Sequence, residues 1–474
     1  MKTSQTFFFY DLETSGLSGR YDRIMQFAGQ RTDMDLEPIG EPIDLLIKLT
    51  DDVLPSPEAL LITGITPQQT IQDGISEAEF ARKFIDEIAT PGTIILGYNN
   101  IRFDDEFIRH TLWRNFYDPY GWTWSDGRSR WDLLDVVRLV RALRPTGIRW
   151  PKDSNGKPTN RLEELAKWNK LDHAHAHNAL SDVEALIGMT KLLKTKQAKI
   201  FEYLLSMRDK KEVAKLVNLE NPQPFVYASG RYNSATEKTT VALPVAPGKK
   251  PGSVLVYDLQ FNPNDFADLD QAKIVKTLTA SYEERSRDDY VPIPVKELMY
   301  NRCPAVAPIG VLDEKTQNRL GLDLELIQRN FSLLNKNRGL INKLSAAWNA
   351  RPDFATANDV EGQLYDSFMP DADKMRCSTI RAATAEDLAD FHPSFTDDRL
   401  PELLFRYKAR QFPNSLSEDE HERWEKYKAD KFQRELPGYM QRLAQLASIQ
   451  SDDSKLFVLE EIQLWVESIM PVAD

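Results

Sequence analysis

Cysteine is almost absent from this chain of 474 residues: Cys303 and Cys377 are the only two, far apart and in no metal-ligand spacing. That excludes a disulfide framework and a thiolate metal site, and a reducing, cytoplasmic setting is the default expectation. No run of eighteen apolar residues occurs, so no membrane-spanning helix is expected. Met1-Lys2-Thr3-Ser4-Gln5-Thr6 leads straight into an apolar segment without the design of a signal peptide. Internal repeats and low-complexity tracts are missing too. Positive charge is in deficit, with 60 Lys and Arg against 72 Asp and Glu and a net charge of −12. Taken over the whole chain, that argues against binding a phosphate backbone, which needs cations.

Distribution changes this conclusion. Residues 128–161 hold nine basic residues (Arg128, Arg130, Arg138, Arg141, Arg144, Arg149, Lys152, Lys157, Arg161) against three acids (Asp132, Asp135, Asp153). The chain is too long for one ordinary domain, and its 41% hydrophobic and 10% aromatic content is enough for two or three buried cores.

The informative motif comes within the first fourteen residues. Tyr10-Asp11-Leu12-Glu13-Thr14 closes an apolar run that starts at Phe7. Side chains alternate along a strand, so Asp11 and Glu13 share a face. Two carboxylates that close repel unless something positive lies between them, and hard oxygen ligands suit magnesium or manganese. A second apolar run, Thr93-Ile94-Ile95-Leu96-Gly97-Tyr98, reads as a buried strand, and Asp104 follows it at the opening of a helix. Farther on, His177 lies five residues before Asp182, which sits in the first turns of a helix running to about Leu193. Four acids and a histidine on three strand–helix segments can converge on one site.

This ordered set, Asp11, Glu13, Asp104, His177 and Asp182, resembles the DEDDh exonucleases. The sister class carries a tyrosine four residues before the last aspartate, where this chain has Asn178. Further words narrow the resemblance to the bacterial exonuclease I family, single-strand-specific enzymes that degrade DNA from the 3′ end. They are Leu61-Ile62-Thr63-Gly64-Ile65-Thr66-Pro67, Ser129-Arg130-Trp131-Asp132-Leu133-Leu134-Asp135-Val136, Arg161-Leu162-Glu163, and Leu404-Phe405-Arg406-Tyr407-Lys408-Ala409-Arg410-Gln411-Phe412-Pro413. The resemblance implies an α/β fold: a ribonuclease-H-like mixed-sheet exonuclease domain over 1–200, an SH3-like β-barrel domain with helical extensions over 201–355, and a helical C-terminal domain over 356–474 closing over the DNA path. The residue pattern itself suggests strands over 6–12, 23–31, 42–49 and 93–98 and helices over 76–88, 103–115, 129–143, 160–169 and 179–193. Short strands over 225–228, 239–243, 253–259 and 291–299 follow, and helices from about 322.

The chemistry implied is metal-dependent 3′→5′ hydrolysis of single-stranded DNA to 5′-mononucleotides. Asp11, Glu13, Asp104 and Asp182 hold two Mg2+ ions, with Mn2+ as a substitute, and His177 is the general base. His173, His175 and His177 alternate, so a zinc cluster competes for the same histidines, and His175 is near enough to touch substrate. Glu13 and Arg161 are expected to position the terminal nucleotide. Arg109, Arg138, Tyr120 and Trp124 are expected along the strand's path, phosphate held by charge and bases by stacking. The cluster Trp113, Phe116, Tyr117, Tyr120, Trp122 and Trp124 reads either as that stacking wall or as core. Arg406, Tyr407, Lys408 and Arg410 read as a basic helix patch facing DNA, or as an ordinary solvated face. The resemblance further implies docking of the C-terminal tail of single-stranded-DNA-binding protein, a role in DNA repair and recombination, and a monomer in the bacterial cytoplasm. The alternatives are a 3′→5′ exoribonuclease of the same superfamily and a non-catalytic nucleic-acid-binding scaffold.

Overall fold

The computed structural model describes residues 5–171, 179–353, 355–389 and 391–470. The chain divides into two compact units, one formed by Met1–Ser129, His173–Glu184 and Ala355–Asp474, the other by Arg130–Asp172 and Ala185–Phe354.

The first unit is organised by β1 (Thr6–Thr14), β2 (Ile24–Thr32) and β3 (Ile43–Leu46), then α1 (Pro57–Thr63), α2 (Pro67–Asp73), α3 (Glu77–Lys83), β4 (Thr93–Gly97) and α4 (Asp104–Arg114). The strands lie in the order β3-β2-β1-β4. β1 runs antiparallel to β2 and parallel to β4, so the sheet is mixed. Phe8, Tyr10 and Leu12 alternate onto one face of β1 and pack with Phe27, Phe80, Phe84, Ile95 and Ile108. The other face carries Phe7 and Phe9, both buried, and continues into Asp11 and Glu13. The apolar periodicity over 76–88 is one helix in sequence, but α3 ends at Lys83 and the chain widens into a π-helical turn over Phe84–Ile88.

α1 and α2 escape a periodicity search because each has only seven residues. Their capping chemistry is nevertheless spelled out. Gly64 ends α1 at φ +71°, a left-handed position that suits glycine, and Thr66 and Gln69 form a reciprocal capping box behind Pro67 at the first turn of α2. The Leu61–Pro67 word is therefore a helix–turn–helix joint, and the C-terminal region packs on it. The helix Asp453–Ile469 lays Val458, Leu459 and Ile462 against Leu60 and Met25, and Trp465 donates its indole N–H to the Val53 carbonyl at 3.0 Å. A second cluster joins Trp113 and Phe116 to Leu364, Cys377, Ile380, Leu400, Leu403 and Leu404. Segments 1–129 and 355–474, remote in sequence, thus share apolar cores.

The second unit opens in β5 (Ser129–Asp132), whose last three residues it contains, and α5 (Leu133–Leu143). The helical spacing expected over 129–143 holds only from Leu133, because the Asp132 carboxylate caps the helix, accepting from the Leu134 N–H at 3.0 Å. α6 (Leu162–Asn169) and α7 (Ala179–Lys196) follow, α7 as far as Glu184 belonging to the first unit. An antiparallel sheet is then built from β6 (Phe225–Ala228), β7 (Thr239–Pro247), β8 (Ser253–Asp258), β9 (Val295–Met299) and β10 (Ala305–Pro308), ordered β10-β6-β7-β8-β9. β7 outruns its expected end at 243, since the proline at 244 is absorbed by a register shift between Pro244 and Ala246.

Candidate active site

β1 and β4 are parallel, and such sheets bind ligands beyond the carboxyl ends of their strands. Asp11 and Glu13 stand at that end of β1, and Asp104 opens α4, which follows β4. The turn between them is tightly built. A Cβ at Gly97 would lie 2.6 Å from the Cβ of Asn100, so only glycine lets the chain fold back there. Asp105 accepts from the Tyr10 hydroxyl at 2.7 Å and from the Asn100 amide at 3.2 Å, bolting the head of α4 to β1 and holding the neighbouring Asp104 in place. Sequence reasoning missed Asp105 and Tyr10 as positioning residues, although the doubled Asp104-Asp105 was the signal.

Asp182, in the first turn of α7, completes the group: Asp11, Glu13 and Asp182 each offer a carboxylate oxygen, and these all lie within 4.8 Å of one another. Burial raises the Asp11 carboxyl well above its ordinary range, and the charges of Asp104, Asp182 and Glu13 raise it further. Burial, with Asp182 beside it, pushes Glu13 up to about 7. Asp104 is itself buried. Carboxylates gathered this closely, with Asp104, Asp182 and Glu13 all acting on Asp11, are a donor set suited to hard divalent cations, so the residues fit that group. His173, His175 and His177 lie outside the described residues.

The remaining candidates separate into those that stay accessible and those that do not. Arg109 is buried in the first unit, donating to Glu106 at 3.0 Å and to the Tyr365 hydroxyl at 3.3 Å, with its guanidinium 5.8 Å from the centre of the Tyr120 ring. Tyr120 is half-buried and packs near Tyr365 and Phe368, ring centres 6.3 and 6.2 Å away. Trp124 is 69% exposed and Phe368 85% exposed. Tyr365 and Phe368, some 240 residues along the chain from Tyr120, were not anticipated, and no local pattern in sequence links them to it. Trp113, Phe116 and Trp122, offered in sequence as part of a stacking wall, are core residues. In the second unit, Arg138 is paired with Asp135 at 2.5 Å, and Arg161 is exposed at the N-terminus of α6. Within the basic stretch, Arg130 and Arg141 are buried, whereas Arg149, Lys152, Lys157 and Arg161 are exposed.

The reading of Tyr407 and Arg410 as a patch facing DNA is corrected by their burial. Tyr407 packs edge-on against Phe116 and Phe412, with ring centres 5.5 and 6.3 Å apart. Arg410 is held by Asp52 at 2.7 Å and Glu361 at 2.5 Å, Arg406 by Asp359 at 2.7 Å, and Lys408 by Glu420 at 2.6 Å. Apart from Glu402, which pairs with Arg406 at 2.9 Å one turn earlier on the helix, the acids that neutralise these cations lie far along the chain and leave no short-range pattern.

Comparison with known proteins covers the whole arrangement. Residues 8–190 match the family model described as Exonuclease, residues 208–350 the Exonuclease I SH3-like domain, and residues 358–469 the Exonuclease I C-terminal domain. Exodeoxyribonuclease I of Haemophilus influenzae is 40% identical over 460 residues, 96% of this chain and 97% of that protein. The crystal structure of Escherichia coli exonuclease I in complex with a dA16 oligonucleotide matches with a TM-score of 0.95 and 37% identity, over 98% of this chain and 100% of the other. The zinc-bound form of an E. coli exonuclease I complex with single-stranded DNA matches with a TM-score of 0.93 and 36% identity, over 98% and 99% of the two chains.

Proposed function

The chain belongs to the exonuclease I family of exodeoxyribonucleases, with an exonuclease domain on a mixed α/β sheet, an SH3-like domain and a helical C-terminal domain, and on that premise we propose how its residues act. It hydrolyses single-stranded DNA from the 3′ end to 5′-mononucleotides. The observation that carries this is the group of mutually repelling carboxylates, Asp11, Glu13 and Asp182 with Asp104 beside them. These four would hold two Mg2+ ions, with Mn2+ able to replace them. When bound, the cations supply the positive charge that draws in the scissile phosphate and lowers the pKa of the attacking water. His177 takes the proton of that water as the new O–P bond forms. The P–O3′ bond breaks, its electron pair leaving with the 3′ oxygen, which takes a proton from solvent to become the 3′-hydroxyl of the shortened strand, and the 5′-phosphate stays on the released nucleotide. Glu13 and Arg161 position the terminal nucleotide, Arg161 through its charge on phosphate. Arg109 orients Tyr120, and Tyr120, Trp124 and Phe368 offer ring faces to bases. Arg138 and His175 contact the strand farther along. Domain borders near residues 200 and 355, a monomeric state, docking of the C-terminal tail of single-stranded-DNA-binding protein, and a role in repair in the bacterial cytoplasm complete the proposal.

Digestion of matched single-stranded DNA, single-stranded RNA and blunt duplex DNA, labelled at the 5′ end and run with magnesium or chelator, tests it. A magnesium-dependent ladder shrinking from the 3′ end on single-stranded DNA alone is expected. Preference for RNA would replace it with exoribonuclease activity, and binding without cleavage would leave a scaffold.

Two further outcomes follow from the geometry. Stacking of a base on an aromatic ring contributes about 1–3 kcal/mol. Trp124→Ala and Phe368→Ala should each weaken binding of a single-stranded oligonucleotide by about that amount, measured by fluorescence anisotropy in chelator; unchanged affinity in both would remove them from the strand's path. The second outcome concerns pH. Glu13 titrates near 7 in the metal-free protein, against about 4.3 when unfolded. Between those values the folded state holds the extra proton, so this group's contribution to stability declines as pH rises through the window. A bound cation reverses that penalty. The rise in melting temperature on adding magnesium should therefore be larger at about pH 8 than at about pH 5.5, and equal increments would contradict the assignment.

A further inference from the structure

Arg141 lies on α5, in the stretch where sequence suggests phosphate contacts, yet it is only 3% exposed in side chain. Its donors go to protein. One terminal nitrogen donates to the Pro151 carbonyl at 3.0 Å, the other to the Thr159 carbonyl at 2.5 Å and the Asn160 side-chain oxygen at 3.1 Å. Pro151 and Thr159 are the two ends of a hairpin. Lys152 and Pro158 bridge across it, and Asp153 shapes its tip by accepting from the N–H groups of Asn155 and Lys157. One planar guanidinium thus cross-links both legs of the hairpin at its base, with its face 5.5 Å from the Trp150 ring centre. The chain leaves this clamp through Thr159 and Asn160 directly into Arg161. The Arg161 N–H donates to the Thr159 hydroxyl at 3.3 Å, and its carbonyl accepts the first bond of α6 from Leu165 at 3.0 Å.

Behind Arg141 stands a carboxylate from the antiparallel-sheet part of the same unit. Glu237, in the loop before β7, places an oxygen 3.9 Å from the Arg141 Nε and is itself held by Arg319 at 2.6 Å. Arg319 also donates to the Ala142 carbonyl at the end of α5. Glu237 and Lys238 are consecutive non-glycine residues in the left-handed region, at φ +50° and +62°. Such a pair is strained and persists only where the surroundings demand it. The strained turn delivers the carboxylate to the arginine.

We propose that Arg141, backed by Glu237, is a positioning residue for Arg161: it fixes the backbone from which Arg161 reaches the terminal nucleotide, so the loop before β7 contributes to the exonuclease reaction through a chain of contacts that never touches DNA. The proposal rests on the assignment of Arg161 to substrate made above. An arginine on an exposed, unfixed segment loses more entropy on binding than one on a rigid base, and a 1 Å displacement of a substrate-holding group can cost about 10²-fold in rate.

The test is a double-mutant cycle of Arg141→Ala and Arg161→Ala, read as kcat/KM on a 5′-labelled single-stranded oligodeoxynucleotide with magnesium. Arg141→Ala should lower kcat/KM by roughly 10- to 10²-fold in the native background. In the Arg161→Ala background it should have no further effect. Equal losses in both backgrounds would overturn the proposal, since a general structural role does not depend on Arg161. An Arg161→Ala variant with native kcat/KM would overturn the substrate assignment, and the positioning role with it. Glu237→Gln keeps the size of the side chain and removes only its charge. It carries the same cycle if Arg141→Ala fails to fold, with a smaller loss expected that again vanishes without Arg161.

Discussion

Asp11→Asn is expected to lose turnover by about 10³-fold or more while gaining stability in metal-free buffer. The first effect follows from the proposed role. Cation charge at the reacting phosphate supplies several kcal/mol, about 4 kcal/mol corresponds to 10³-fold in rate, and a neutral amide is a poor partner for a hard divalent cation. The second follows from the carboxylate cluster alone. Burial and the neighbouring charges of Asp104, Asp182 and Glu13 raise the proton affinity of Asp11 in the folded protein. Without metal, its ionised form therefore disfavours folding at neutral pH and above, and an amide removes that repulsion. Asp182→Ala should behave alike in turnover while DNA binding survives. Magnesium-dependent cleavage kinetics and thermal melts in chelator at about pH 8 measure both effects. Retained turnover would remove Asp11 from the cation site. A lower melting temperature in chelator would mean that other interactions of Asp11 outweigh the repulsion.

The part of this site legible in sequence was the part encoded locally. Asp11 and Glu13 were readable because a strand of period two puts alternate residues on one face, and Asp104 and Asp182 because each sits at a helix opening that apolar spacing marks. Asp105 and Tyr10 were not, since a hydrogen bond spanning 95 positions leaves no periodic trace. The same physics explains Arg410 and Arg141. Composition shows that a helix carries cations, but whether phosphate or an internal carboxylate satisfies them is decided by partners such as Asp52, Glu361 and Glu237 elsewhere in the chain. The strand–helix boundary at Asp132 was blurred for a different reason. A four-residue strand is too short to establish a period of its own beside an eleven-residue helix. Exposed aromatics behaved likewise: Trp124 was identified, whereas Tyr365 and Phe368 reach Tyr120 only through the fold.

Glu361→Gln should destabilise the first unit strongly, by about 3–5 kcal/mol. Four buried guanidiniums, Arg23, Arg114, Arg406 and Arg410, meet three buried carboxylates, Asp52, Glu77 and Glu361, and Arg406 is held by Asp359 and Glu402 as well. Glu361 lies 2.8 Å from Arg23 and 2.5 Å from Arg410, with Arg406 at 3.5 Å and Arg114 at 4.0 Å. Its backbone is engaged as well, the carbonyl meeting the His110 ring at 3.0 Å, and burial with Arg114 nearby lowers that histidine to about 3. Burial alone would raise the Glu361 carboxyl, but Arg410, Arg23 and Arg114 hold it well below the usual carboxylate range. The same balance, with Arg410, Lys431 and Arg23, holds Asp52 low. The stability these two supply is fully present above the unfolded values, near pH 4, and is lost as pH falls through their lower folded values. Removing the Glu361 charge leaves these buried guanidiniums one counter-charge short, in an interior that solvates ions poorly. Because Arg23 precedes β2 and Arg410 lies in the last turn of the helix Leu400–Gln411, the change should loosen the N-terminal sheet and the C-terminal helices together. Urea unfolding followed by tryptophan fluorescence, which reports Trp113 and Trp424 in these clusters, measures it at neutral pH. A loss below about 0.5 kcal/mol, the ordinary range for a surface substitution, would mean that the remaining carboxylates suffice to neutralise these arginines and that Glu361 is dispensable to the fold.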